Sequence, residues 1–374
     1  MASMQQDSYA NPAEELRKCE SVEKEDYLVE YRKFFEKFAD VTGSGDQLPV
    51  KVIGCLSVTE SEIPGEILSY TLQYLDAIEC PAGLVTPICR DVLEDTRKTL
   101  ETDPNAFGKN SGSASSMSLM RSAVASVHCA LRAGLDNERA CRLPAPALAP
   151  VAATAASRNG RRCMEDRHVT IDDFDRLFGV QDDQLTSFYA VYDGHCGPLA
   201  ASYSAAHLHL NFVNSPHYKT NPQAAMREAF IKTDASFVSK EPSGGTTAAV
   251  CYLKGNNLLV GWAGDSQALL VGDGSLIQLV RPHKPSREDE NNRIVQLGGQ
   301  VTFDGIWRVN GVLAVSRAIG NLKMKPYISS EPEFASVQLS GFEEFIVLAC
   351  DGLWDFVSED EVALEVYKAI EKHP

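Results

Sequence analysis

The chain has 374 residues, enough for about two to three domains and for a large buried core. Hydrophobic residues make up 44% and charged residues 23%, which excludes an intrinsically disordered chain. Lys plus Arg number 35 against 51 for Asp plus Glu, and the net charge of −16 excludes general binding to nucleic acid or to an anionic membrane.

No run of about 18 apolar residues is present, so no membrane-spanning helix is expected. The first residues, MASMQQDSYANPAEELRKCE, lack the basic-then-apolar order of a secretory signal. The 10 cysteines contain no C-x-x-C pair, so zinc-ribbon spacing is absent. They read as reduced thiols, and the expected compartment is the cytoplasm or the nucleus.

Residues 1–142 read as a helical N-terminal module. From Glu23 to Asp40, Tyr27, Leu28, Tyr31, Phe34, Phe35 and Phe38 recur at helical spacing. Pro64 suits a first helical turn and is followed by Ile67, Leu68, Leu72 and Leu75. A third helix is expected over Thr86–Leu100 and a fourth over Leu119–Ala133, stopped near Gly134. The Gly/Ser-rich NAFGKNSGSASSMS between them reads as a mobile loop. The Pro/Ala-rich stretch 143–153 reads as a linker, and 154–374 as a second domain.

Beyond residue 155 short apolar runs alternate with turns. Strands are expected at Ser187–Tyr192, Thr247–Leu253, Leu258–Ala263, Ala268–Val271 and Phe345–Cys350. Asn221-Pro222 is an N-cap with proline in the first turn. Ser286 with Asp289, and Ser358 with Glu361, stand at capping-box spacing. Gly298-Gly299 closes a helix begun at Pro285. Strands in close succession with helices between the groups favour a layered α+β sandwich over a doubly wound parallel sheet.

One pattern occurs repeatedly. An apolar run leads to an aspartate beside a very small residue: FYAVYDGH at Asp193, LLVGWAGDS at Asp265 and FIVLACDG at Asp351. Each run is apolar on both faces, so each strand is expected to be central and buried. A carboxylate at the end of a buried strand needs compensation, and an adjacent glycine lets a ligand approach the backbone. Each Asp-Gly taken alone is an ordinary turn. Brought to one rim, the carboxylates form an oxygen-only site that selects magnesium or manganese over zinc. Two such ions can activate a water toward phosphorus. Arg161, Glu165 and Asp166 precede the first strand in RRCMEDRH, which by itself also reads as a solvated turn. A guanidinium suits phosphate oxygens. His195 suits proton transfer to a leaving alkoxide, and equally a structural place behind the site.

Together the stretches RRCMEDRH, FYAVYDGHCG, GGTTAAV, GWAGDSQALL, RPHKPSREDE, WRVNGVLAVSRAIGN and VLACDGLWDFV resemble, in order, the PPM family of metal-dependent protein serine/threonine phosphatases, also called type two C. RRCMEDRH and the helical extension are most similar to the calmodulin-kinase phosphatase branch, which includes partners of PIX exchange factors. The resemblance implies a four-layer α-β-β-α sandwich behind the all-α module, and hydrolysis of phosphoserine and phosphothreonine without a phosphoenzyme. It implies Mg2+ or Mn2+ as cofactor, two ions per site with a weaker third. By position, Asp193 resembles the carboxylate bridging both ions, Gly194 a ligand through its carbonyl, and Asp351 a second carboxylate. Glu165 resembles the residue that holds metal-bound water. Asp265 and Asp355 resemble ligands of the weaker ion. Arg161 matches the phosphate-binding arginine and His195 the general acid. Thr246 and Thr247 resemble a structural block behind the site. Implied partners are phosphoprotein substrates, protein kinases among them, with the helical module as a protein-binding element.

The sequence also departs from the family pattern. The family's final Asp-Asn block and its strand do not occur before Pro374, which reads as a C-terminally incomplete chain with an opened sheet edge and exposed apolar surface. The alternative function is therefore a weak or inactive form acting as a binding or adaptor module. Cys196 replaces a glycine beside His195, either a tolerated small residue or an oxidisable thiol, and Asn321 replaces an aspartate after SRAIG, with a mild effect expected.

Overall fold

The computed structural model describes residues 27–39, 50, 52, 57–103, 105–108, 113–136, 143 and 152–372. Helix α1 covers 27–38 and is followed by α2 (Ile63–Ala77), α3 (Ala82–Thr102) and α4 (Ser116–Gly134). The apolar stripes read from the sequence supply the packing: Tyr31, Phe35, Ile67, Leu68, Leu75, Leu119 and Leu131 are all buried. Pro64 sits in the first turn of α2, as its missing N–H permits. Residues 109–112 of the Gly/Ser loop and 144–151 of the Pro/Ala stretch lie outside the described residues; the rest of the loop forms a 3-10 turn at Ala106–Gly108, a bridge from Ala114 to Val58 and the start of α4 at Ser116. Among the described residues, no helix is long and apolar enough to cross a membrane.

Beyond residue 152 the order is β1 (Arg167–Ile171), α5 (Phe174–Leu177), β2 (Thr186–Tyr192), β3 (Gly194–His195), α6 (Leu199–Val213), α7 (Pro222–Val238), β4 (Gly245–Thr246), β5 (Ala248–Lys254), β6 (Asn257–Ala263), β7 (Gln267–Gly272), β8 (Ser275–Gln278), α8 (Glu288–Gln296), β9 (Val301–Asp304), β10 (Ile306–Val309), β11 (Ile319–Gly320), β12 (Glu333–Gln338), β13 (Glu343–Ala349), α9 (Asp351–Trp354) and α10 (Glu359–Lys372). One antiparallel sheet has the order β1-β2-β5-β6-β12 and a second has β13-β7-β8.

Strand alternation explains why the runs are apolar on both faces. Ala249, Cys251, Val260 and Trp262 meet Ala268 and Leu270 between the sheets. Their neighbours Ala248, Val250, Tyr252 and Leu259 join the cluster that contains Leu208, Phe212 and Phe230 of α6 and α7. Leu269, Val271, Phe345 and Val347 face Ala363 and Tyr367 of α10. The layers are therefore helix, sheet, sheet, helix, which is the α+β sandwich expected.

Three local expectations need correction. β13 is not central: it pairs only with β7 among the described residues, and most of its side chains are half-buried. Its apolar residues reflect two covered faces, not two paired edges. The Ser286 and Asp289 box does not form, because Arg287 takes the Asp289 carboxylate through Nε and Nη2, each at 2.8 Å. The helix then starts at Glu288 rather than Pro285. The other caps form as read: Asn221 Oδ1 accepts from Ala224 N at 3.0 Å, and Ser358 N donates to Glu361 Oε2 at 3.0 Å.

Helix α2 is fastened to α6 by polar bonds at close range. A Cβ on Gly65 would lie 2.6 Å from Ala206 O and 2.5 Å from His207 Nδ1, so only glycine permits this approach. Tyr203 Oη donates to Glu62 Oε1 at 2.6 Å, Lys240 Nζ donates to Glu62 Oε2 at 2.9 Å and to Ser57 O at 2.6 Å, and His207 Nε2 pairs with Glu66 Oε1 at 3.2 Å. Burial opposes ionisation of Glu62, but the bonds from Tyr203 and Lys240 outweigh it and hold its pKa below the ordinary value. A depressed carboxylate stabilises the fold above its unfolded pKa and loses that contribution as pH falls through its folded pKa. Lys240→Met leaves the Glu62 charge underpaired and should lower stability by about 2 kcal/mol at neutral pH. Denaturant melts should show that loss shrinking below about pH 4, and a loss independent of pH would contradict the ion pair as its source.

Candidate metal centre

The ends of β2, β6 and β13 come to one rim between the sheets. Asp193 follows β2, Gly264-Asp265 follows β6, and Cys350-Asp351 follows β13. Two hydroxyls lock the first two ends together. Thr247 N donates to Asp193 O at 2.9 Å, Asp193 N reaches Thr247 Oγ1 at 3.3 Å, and that oxygen lies 2.7 Å from Ser266 Oγ. Thr246 Oγ1 donates to Thr247 O at 2.8 Å. The threonines thus hold the backbone behind the carboxylates.

Gly194 is required by close approach, since a Cβ there would lie 2.4 Å from Glu165 O. The same contact brings the Gly194 N–H to the Asp166 carboxylate. Ligand atoms of Asp166, Asp193 and Cys350 all lie within 4.8 Å of one another. Burial first, then Asp351, Asp166 and Asp265, push the Asp193 carboxyl well up, and it shares a carboxyl–carboxyl hydrogen bond with Asp351. Burial, with Asp351, also raises Asp166, and burial raises the Cys350 thiol.

A second acidic cluster gives the comparison. Asp289, Glu290 and Glu333 are also within ligand distance of one another. There Arg317 Nη2 donates to Glu290 Oε1 at 2.6 Å, Arg293 Nη2 to Glu290 Oε2 at 2.9 Å, and Arg287 Nη1 to Glu333 Oε2 at 3.0 Å. Burial opposes ionisation of Glu290 and of Glu333, yet the hydrogen bonds win and both carboxyls are held low. Protein cations neutralise that cluster. Arg167 lies beside the Asp193 cluster and its charge acts on Asp166, but its guanidinium is spent on backbone carbonyls, Asp166 O at 2.6 Å and Met164 O at 3.2 Å, and among the described residues no arginine bonds a carboxylate of the cluster; the one side-chain ammonium at this rim, Lys284, pairs with Asp265. An oxygen-rich set whose acids are driven toward protonation fits a hard divalent cation.

His195 Nε2 lies 3.0 Å from Asn321 Oδ1. Burial holds the imidazole below its ordinary pKa against the pull of Asn321, Asp265 and Glu165, so it is neutral at pH 7. Asn321 sits at φ 54°, ψ 44°, in the left-handed region that asparagine tolerates, and keeps the acceptor that meets His195. Of the residues expected from sequence, Asp193, Gly194, His195, Glu165, Asp265 and Asp351 gather here. Asp355 lies a turn past Asp351 at the exposed end of α9, and its charge acts on Lys284. Arg161 lies on an exposed turn closed by Arg161 N to Arg158 O at 3.1 Å. Asp166, Cys350 and Lys284 were not singled out as site residues from sequence. Asp166 was visible beside Glu165, whereas Lys284 stood inside the stretch RPHKPSREDE with nothing linear to join it to Asp265.

Cys196 has φ +58° and is exposed. That backbone is strained for any residue with a Cβ and easy for glycine. Cys196→Gly should stabilise the metal-free protein by about 0.5–1 kcal/mol after the larger entropy of the unfolded glycine is deducted. A lower melting temperature for the variant would show that the thiol makes a compensating contact.

Residues 152–374 match the family described as Protein phosphatase 2C. Human (Homo sapiens) "Protein phosphatase 1E" is 39% identical over 319 residues, covering 81% of this chain and 41% of its own length. Mouse (Mus musculus) "Protein phosphatase 1F" is 36% identical over 359 residues, covering 91% and 78%. The chain spans about two fifths of the length of the Protein phosphatase 1E relatives it matches. A solved C. elegans sex determining protein shares the fold with TM-score 0.70 at 21% identity, over 91% of this chain and 84% of that one. A serine-threonine phosphatase 2C from Toxoplasma gondii aligns with TM-score 0.50 at 20% identity, over 57% and 81%. With its matched region forming the whole sandwich and its carboxylate rim, this chain belongs to the protein phosphatase 2C family.

Proposed function

We propose that the chain is a metal-dependent serine/threonine phosphatase, acting on phosphoproteins with Mg2+ or Mn2+ at two positions and a weaker third. The observation that carries this reading is the contrast between the two acidic clusters. Arginines bond the carboxylates of one, while among the described residues none bonds a carboxylate of the Asp193 cluster, where Arg167 reaches only the Asp166 backbone carbonyl and the acids are raised.

The residues that would hold the ions are Asp193 and Asp351, facing each other from the two sheets, with the Gly194 carbonyl and Glu165. Asp265 and Asp355 would serve the weaker position. Divalent ions, when bound, supply positive charge and Lewis acidity for phosphoryl transfer to water. Gly194, against Glu165, keeps the Asp193 loop and the 165–166 segment in one arrangement. Arg161, on its exposed turn, provides a planar fork for two phosphate oxygens. His195, oriented by Asn321, passes a proton to the leaving alkoxide, and an arriving phosphate dianion favours its charged form. The helical segment before residue 143, packed on α6, recruits protein partners, protein kinases among the candidate substrates.

Asp193→Asn tests function and stability at once. Mn2+-dependent hydrolysis of a phosphothreonine peptide should fall roughly 10²–10³-fold, the scale of a metal's charge stabilisation. The metal-free variant should melt higher than the parent, because a repelled carboxylate has gone. The sign follows from the raised folded pKa. The metal-free parent loses stability as pH rises from the ordinary carboxylate range through the higher folded value, and the variant loses less. Undiminished hydrolysis in Asp193→Asn, or no metal-dependent hydrolysis in the parent, would defeat the phosphatase reading.

A further inference from the structure

Lys284 arrives at the acidic rim on a loop that is clamped in place. Gly264 N donates to Nδ1 of the fully buried His283 at 3.1 Å, and His283 N donates back to Gly264 O at 2.9 Å. Ser316 N holds the other side of the loop through His283 O at 2.9 Å. The next residue along each clamped strand is Asp265 and Lys284. The ammonium is delivered to that carboxylate and hydrogen-bonded to Oδ2. The Asp265 side chain is only 4% exposed, whereas that of Lys284 is 41% exposed. The charges of Asp355 and Asp351 also act on the ammonium.

We propose that Lys284 is a built-in cation that occupies Asp265 in the metal-free protein and must be displaced before a divalent ion can use that carboxylate. This rests on the reading of the rim as a metal centre and deepens it. The Asp265 position is weak through competition, not through a poor donor. A lysine suits a counter-ion that has to leave. Its ammonium is a strongly hydrated point charge on a flexible stem, and partial exposure gives it water to retreat into. Arg287, three residues on in the same loop, shows the opposite case. Its side chain is 7% exposed and grips Asp289 and Glu333 by a planar fork, which makes a permanent neutraliser. One loop thus carries a fixed cation and a movable one.

Mn2+ binding to the full chain without substrate provides the test, followed by titration calorimetry with free Mn2+ read by electron paramagnetic resonance. The variants are Lys284→Gln, Lys284→Arg, Asp265→Asn and the Lys284→Gln/Asp265→Asn pair. Lys284→Gln should tighten the Asp265-dependent ion roughly tenfold, as loss of a half-exposed competing charge allows. Lys284→Arg should bind that ion no more tightly than the parent. Asp265→Asn should abolish it in both backgrounds, while Asp193-dependent binding persists. A Lys284→Gln isotherm that superimposes on the parent overturns the proposal, as does a gain that survives Asp265→Asn. If Asp193-dependent binding is present in these cases, the metal-centre reading stands and only the role of Lys284 falls. If no Mn2+ binds to any form, both fall together.

Discussion

Half-buried negative charge whose carboxylates no arginine bonds is the constraint around which this molecule is arranged. Carboxylates at the ends of buried strands are costly to ionise, and Asp351 stands close enough to raise both Asp193 and Asp166. Elsewhere the same chain resolves this problem with arginine. Glu290 is 1% exposed, yet Arg317 and Arg293 keep it ionised. The rim is held instead by the Asp193–Asp351 carboxyl contact and by one lysine on Asp265. A fold that bonds arginines to acids so thoroughly in one place and leaves the Asp193 carboxylate without such a bond in another suits an external cation there.

The surrounding architecture makes that rim rigid. Thr247 and Ser266 join the ends of neighbouring strands, and the bare α-carbon of Gly194 lets the 165–166 segment touch β3. Helix α6 starts just after the Asp193–His195 turn and is the element on which α2 lies, with Gly65, Glu62 and Glu66 against Tyr203 and His207. The buried cluster runs without a break from Tyr31 and Phe35 through Leu208 and Phe212 to Val250. The helical segment is therefore packed onto the layer that supports the site, and not loosely tethered beside it.

Much of this was legible in the sequence because burial leaves a linear trace. β2, β5, β6 and β7 were found within a residue or two, since strands covered on both faces are apolar throughout. The same trace located β13 within two residues but made it central, because periodicity reports covered faces and says nothing of paired edges. Asp193, Asp265 and Asp351 were legible as acids at strand ends. The capping box at Ser286 failed because Arg287 competes for Asp289, a contest that spacing cannot reveal. Lys284 was invisible for a related reason: its partner lies 19 residues away, joined only through the fold.

Cys196 and Asn321 show how a local departure can be absorbed. Both occupy left-handed backbone, at φ 58° and 54°, on either side of His195. Asparagine is among the few residues that accept this conformation cheaply, and its Oδ1 also meets the imidazole, so position 321 satisfies conformation and chemistry together. Cysteine satisfies neither, and the cost at 196 is a backbone cost. Its neighbour Gly197 is at φ 112° with no atom within 4 Å of where a Cβ would be, so the turn has space as well as curvature. The shape of the turn is therefore imposed from outside, by β3 pairing with β4 and by Gly194 against Glu165, and residue 196 conforms to it. The loop that presents Asp193 and His195 is over-determined by its anchors, which is why it can carry a strained residue beside the site without losing the arrangement of the carboxylates.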